Sequence, residues 1–202
     1  LGRWLAGALV LAGLLVLGIS WPHLFNKEES KNLKDSSGRI SIAVMPFLNM
    51  TNDTIWNVWQ DGIQDMLITY LANSEELKVR QAGSITDLLE SKGTTNYASI
   101  TPSIASEISQ KLDASVFIHG SIKQAGSKIR LNAELTDSKT REIFKSFEID
   151  GPASEEMIFQ IVDSLKRMVK NSLILSHLEK ELHAGSIPRY TISTDSPEAF
   201  RY

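Results

Sequence analysis

Two hydrophobic periods alternate along the chain. After an opening apolar run, apolar residues between 56 and 112 recur mostly at steps of three and four. From 116 to 149 they alternate one by one, and from 154 the helical step returns. The opening run is Ile40 to Phe47, apolar or proline everywhere except Ser41. Short, rich in Ile and Val, and closed by the polar turn formers Asn49 to Thr54, it predicts a central strand covered on both faces. Pro46 has no N–H for a ladder, so the strand is expected to end about there, with the chain lifted off the sheet edge.

Trp56, Trp59, Ile63, Met66, Leu67, Tyr70 and Leu71 then predict an amphipathic helix, with Asp53 or Thr54 available as its cap. The two tryptophans read as core anchors. Leu77 to Gln81 is a short second strand. Ser84 begins a helix that Gly93 terminates, and Ser103 caps another that stacks Ile104, Ile108 and Leu112.

The period then changes. Val116, Ile118, Gly120 and Ile122 alternate with Phe117, His119, Ser121 and Lys123. Ala125-Gly126-Ser127-Lys128 is a tight hairpin turn. Ile129, Leu131, Ala133 and Leu135 alternate with Arg130, Asn132, Glu134 and Thr136, which predicts one dry and one wet face. After a turn at Asp137–Thr140, Ile143 to Ile149 returns as a third antiparallel strand. Ser154, Glu155 and Glu156 suit the positive end of a last helix, whose stripe runs from Met157 to Leu173. The fold class is α/β (α+β): a mixed sheet of about five strands, order β-α-β-α-α-β-β-β-α, with helices packed on it.

From Trp4 to Trp21 no residue is charged. The run is about 27 Å long as a helix, close to the hydrocarbon thickness of a bilayer. Trp4 and Trp21 stand where interface anchors belong, and Pro22 stops the helix. A secretory signal peptide ending at Gly18-Ile19-Ser20, or a buried core helix, are the competing readings. Residues 1–22 are thus read as a transmembrane helix that would contact the lipid bilayer through residues 4–21. Residues 23–38, polar and charged, are a juxtamembrane linker, 39–176 the folded domain, and 177–202 a helical tail. The chain starts at Leu1 and stops at Tyr202 within a helix-like pattern, so the expectation is a piece of a longer polypeptide. Arg3 precedes the span while Lys27, Lys31 and Lys34 follow it, so the positive-inside count by itself favours an inside C-terminus.

Composition narrows the chemistry. A net charge of −3 leaves no basic footprint for nucleic acid, and the absence of cysteine excludes disulfides and thiolate sites. No phosphate loop, dinucleotide glycine motif or nucleophile elbow occurs. His23, His119, His177 and His183 lack metal-ligand spacing, and His119 reads as a plain surface residue. Asp53, Asp61 and Asp65 could gather near one loop, but acids at a helix start are usually caps and dipole partners. Asn49-Met50-Thr51 and Asn52-Asp53-Thr54 match the glycosylation sequon, which matters only in a eukaryotic secretory context. No catalytic, cofactor-binding or metal residue is assigned. The polar loop and helix start, Asn49, Thr51, Asn52, Asp53, Asp61 and Gly62, form the candidate partner-contact surface.

Ile40 to Asp53, Asp61-Gly62, Gly120-Ser121-Ile122, Leu131 to Leu135 and Asp137 to Thr140 together resemble the TolB N-terminal-like (FlgO-type) domain. Met45, Thr51-Asn52 and Lys145 depart from its usual pattern. The resemblance implies a binding or scaffolding domain without catalysis or cofactor. It implies a place behind one transmembrane helix of the bacterial inner membrane, with the domain in the periplasm or outside, and it outweighs the charge count. A cytoplasmic winged-helix, kinase or cyclase domain would precede it and tetratricopeptide repeats would follow. Ser193 to Tyr202 resembles the lead-in to such repeats, with Pro197 suited to a first helical turn. The function expected is an extracytoplasmic interaction, sensory or scaffolding domain. The alternatives are a domain that binds a small molecule or nucleotide, or an enzyme, at the loop after the first strand, and a spacer that only positions the repeats.

Overall fold

The computed structural model describes Leu33, Asp35 and residues 37–94 and 96–183, with side chains to Leu175. The proposed span with Trp4 and Trp21, most of the linker, and the lead-in from Ser193 lie outside the described residues. Among the described residues no helix is long and apolar enough to cross a membrane.

The opening run forms β1 (Ile40–Val44), buried at every position because both sheet faces are covered there. β3 (Leu77–Val79) and β4 (Val116–Ala125) flank it in parallel. β5 (Lys128–Asp137) and β6 (Ile143–Pro152) complete an antiparallel meander, giving the order β3-β1-β4-β5-β6. Gly126 takes φ +59 in the two-residue hairpin turn, a conformation glycine adopts without a Cβ penalty. The mixed sheet and the antiparallel meander follow the alternation rules closely.

One expectation changes. β1 ends at Val44 and the chain lifts off around Pro46 as expected, but it then returns to the sheet. The Met45 N–H donates to the Ile118 carbonyl at 2.8 Å, the Phe47 N–H turns away to Gln60 O at 3.0 Å, and β2 (Leu48–Asn49) rejoins β4 opposite Ser121 and Ile122. The sheet therefore has six strands. Proline's missing donor falls inside the arch, where no ladder bond is needed, so Pro46 interrupts the strand without ending the pairing.

Two layers of helix follow from the two apolar faces. On one face α1 (Val58–Ala72) and α4 (Glu155–His183) bury Ile63, Leu67, Leu71, Ile158, Val162, Leu165 and Val169 over the β1–β4–β5 centre. On the other, α2 (Ala82–Ser91) and α3 (Pro102–Lys111) bring Ile85, Leu89 and Ile108 onto Ala43, Met45 and Phe117. α2 starts two residues before Ser84. Thr101, not Ser103, caps α3: its hydroxyl accepts from the Ile104 N–H at 3.3 Å, and Pro102 takes the first helical position, where no donor is required. Ser154 caps α4 as expected, accepting from the Met157 N–H at 3.4 Å.

The folded unit begins at Leu33, which packs against the core. Asp35 Oδ1 accepts from the Ser37 and Arg39 amides at 2.8 and 3.1 Å, and Oδ2 lies 3.3 Å from Lys78 Nζ. These donors, the Ser37 hydroxyl foremost, hold the Asp35 carboxyl well below the usual carboxylate range. The chain thus enters at the N-terminal end of β1. Trp59 meets Phe159, and Tyr70 meets Lys166 and Lys170, so α1 and α4 run side by side in one direction, back toward that end. The opposite end, the apex, gathers the close of β2, the β4–β5 hairpin and the starts of α1 and α4.

Candidate functional site

Asn49 organises the apical loop. Its Oδ1 accepts from the Thr51 N–H at 3.0 Å and the Thr51 hydroxyl at 2.7 Å. Its Nδ2 donates to the Asp53 carbonyl at 2.8 Å and to Asn57 Oδ1 at 2.7 Å. The Thr51 hydroxyl accepts in turn from the Asp53 N–H at 3.1 Å. Asn52 sits at φ 63, a left-handed conformation that asparagine tolerates better than most residues. Asp53 Oδ1 accepts from the Ile55 N–H at 3.0 Å and caps a short 3-10 turn, Thr54–Asn57. Four of the sequence-nominated residues, Asn49, Thr51, Asn52 and Asp53, therefore form one braced loop.

Asp61 and Gly62 do not join it. They lie one turn into α1, where exposed Asp61 accepts the Tyr97 hydroxyl. Burial first, and this carboxylate second, push the Tyr97 phenol up to about 12. A Cβ at Gly62 would sit 3.6 Å from Trp59 Cε3, an ordinary contact, so packing makes no demand for glycine there.

Two glutamines unnoticed in the sequence fix the loop to the scaffold. Buried Gln64 donates from Nε2 to the Val44 carbonyl at 2.7 Å and pins α1 to the end of β1. Gln124 Oε1 accepts the Trp56 indole N–H at 3.0 Å and ties the 3-10 turn to the hairpin. Gln64 left one signal: a polar residue beside Ile63 on the apolar stripe of a helix.

With its polar groups spent on one another, the loop turns apolar side chains outward. Met50, Ile55 and Val58 are 56%, 48% and 70% exposed, and Phe159 at the start of α4 is 54% exposed. Among the described residues no group of three His, Asp or Glu could hold a metal ion.

His119 departs from its expected plain surface setting. Its ring lies 5.5 Å from Phe117, its Nε2 is 3.2 Å from Glu134 Oε2 across the strand pair, and Nδ1 is buried without a partner. Burial lowers its pKa, with the Glu134 charge opposing.

No family model matches the chain. Over 133 residues, 66% of its length, it is 30% identical to a Rhizobium meliloti (strain 1021) protein described as putative adenylate cyclase 3. The match takes in 21% of that protein, so the chain spans about a fifth of this relative's length. Among solved structures, lipoprotein GNA1162 from Neisseria meningitidis is similar with a TM-score of 0.48 and 20% identity, covering 66% of this chain and 98% of that one. The C-terminal domain of LpoB from Escherichia coli gives a TM-score of 0.47 at 22% identity, covering 60% and 90%. TolB from Acinetobacter baumannii gives 0.41 at 17% identity, covering 68% of this chain and 28% of TolB.

Proposed function

We propose that this chain supplies the extracytoplasmic interaction domain of a single-pass bacterial inner-membrane protein, and that its apex is the partner-contact end. The observation that carries the reading is the placement of exposed Met50, Ile55, Val58 and Phe159 around a self-braced loop, at the end away from where the chain enters at Leu33. An apolar surface gathered at one end of the folded domain suits contact with a partner. Residues 4–21 would hold the bilayer, with Trp4 and Trp21 at its interfaces.

The cyclase named for the relative belongs to a protein of which this chain matches 21%. In this proposal the chain contributes regulation or coupling to such an output, with repeats behind it, and no catalysis of its own. The polar atoms of the loop already serve one another, which leaves a nucleotide few donors to recruit.

Site-specific photocrosslinking of the full-length protein in cells tests the reading. A crosslinker at Asn52 or Ser127, both apical, should trap a discrete protein adduct that one at Lys139, at the opposite end, does not. Absence of any adduct from the apex would overturn it. An alkaline phosphatase fusion behind Tyr202 should be active, since that enzyme matures only outside the cytoplasm.

A further inference from the structure

The apical apolar surface continues as a groove between α1 and α4. At its top Trp59 and Phe159 meet edge to face, ring centroids 4.9 Å apart. One turn further along α1, a Cβ at Gly62 would lie 3.6 Å from Trp59 Cε3. Lower down, Asp65, Met66, Thr69, Tyr70, Asn73 and Lys166 line a cleft of about 320 Å³.

The two ends of this groove carry opposite charge. Beside Phe159, within one turn on α4, stand two exposed carboxylates, Glu155 and Glu156. At the other end Lys166 and Lys170 lie 5.3 and 5.6 Å from the Tyr70 ring centroid, and Asp163 takes only part of that charge through Lys166, at 2.6 Å. An apolar floor with an acidic upper rim and a basic lower rim is complementary to a dipolar rod.

We propose that the α1–α4 groove receives an amphipathic helix of a partner protein. Its apolar face rests on Val58, Trp59, Met66 and Phe159, its Lys or Arg residues face Glu155 and Glu156, and its acidic residues face Lys166 and Lys170. Acids in a first turn and bases in a last turn suit a helix's own dipole, so the partner's C-terminal end lies at the apex, antiparallel to α1 and α4. The occupant is a segment of another protein, matched to the groove by its apolar floor and the charge at its ends. This inference rests on the reading of the apex as a partner-contact end and names the partner's chemistry.

The probe is a fluorescein-labelled peptide of about 18 residues. It carries leucines at helical spacing, glutamates in the first turn and lysines in the last. A control peptide has glutamates at both ends. Anisotropy titrations against the full chain should show saturable binding of the first peptide. Binding should be at least about tenfold weaker for the control, and should weaken as salt rises from about 50 to 300 mM. Val58→Asp, and separately Glu155→Lys with Glu156→Lys, should each cost about tenfold in affinity with unchanged melting temperature, since all three side chains are exposed. Equal binding of both peptides, no binding of the first, or indifference to Val58→Asp would overturn the proposal. So would a concentration-dependent dimer that Val58→Asp abolishes, which would assign the groove to a second copy. In cells, a crosslinker that traps a partner from Asn52 but not from Val58 or Phe159 removes the groove proposal and leaves the apical one standing; failure at all three removes both.

Discussion

The ring of Phe47 lies in the space that a side chain at Gly120 would need. A Cβ there would fall 2.4 Å from Phe47 Cε1 and 2.2 Å from the Asn132 carbonyl oxygen. Phe47 is fully buried, and its N–H has left the sheet for Gln60. The arch at Pro46 thus delivers an aromatic ring onto the one β4 position without a side chain, and the loop that follows starts from that fixed point.

Gly120→Ala should therefore destabilise the fold by about 1–3 kcal/mol or more, since one obstacle is backbone that cannot rotate away. Phe47→Ala should cost about 3–5 kcal/mol through the cavity it leaves. Gly151 is the contrasting case. A Cβ there would fall 2.5 Å from Ile161 Cδ1 and 2.9 Å from its Cγ1, both side-chain atoms that can move, unlike the backbone oxygen at Gly120. Gly151→Ala should cost clearly less than Gly120→Ala in urea unfolding; equal costs would contradict the packing described.

Asn49→Ala removes both the acceptor for Thr51 and the donor to Asp53 and Asn57. The expected loss is about 1–3 kcal/mol, with faster amide hydrogen exchange at Thr51 and Asp53 and unchanged exchange in β5. Asn49→Asp should also destabilise, because it places a carboxylate against the Asp53 carbonyl and Asn57 Oδ1. Unaltered exchange in the loop would show that Asn49 does not hold it.

His119 makes stability depend on pH. Its folded pKa lies below the usual 6.5, so the fold prefers the neutral ring. That contribution is complete above about pH 6.5 and is lost as pH falls through the lower folded value. Protonation would place a donor at Nδ1, a buried atom with no acceptor. The urea midpoint should drop between about pH 7 and 5, and His119→Gln should flatten that drop. An NMR titration placing His119 at or above the ordinary value would refute this.

Tyr97 gives the opposite sign. Its phenol is raised to about 12, so its contribution is present below the ordinary value near 10 and is lost as pH rises through about 12. In an ultraviolet titration one tyrosine should ionise last, and Asp61→Asn should bring it partway down. Burial, the larger cause, should keep it above the ordinary value.

The strand at Ile40–Val44, the meander and the helices were legible because each is written as an uninterrupted local period. β2 was not legible. Two residues carry no period, and only the neighbouring β4 makes Leu48–Asn49 a strand. The cap at Thr101 was missed because Ser103 is an equally good capping residue, and only the start of α3 at Pro102 separates them. The loop residues Asn49 to Asp53 were singled out as a polar turn, yet their mutual bonding depends on an arch no local pattern describes. The exposure of Met50, Ile55 and Val58 is not written in the local pattern, since a period reports spacing and not which neighbour is missing.

From residues alone came the mixed α+β class, the buried central strand, the wet and dry faces of β5, and a polar loop after the first strand. Those properties are local, set by side-chain period and backbone preference. The tertiary structure decided what sits beside what: Phe47 on Gly120, Gln64 on the Val44 carbonyl, His119 half-buried against Phe117, and Trp59 of α1 against Phe159 of α4. Each joins residues far apart in the chain, and a contact across such a distance exists only once packing has brought the elements together.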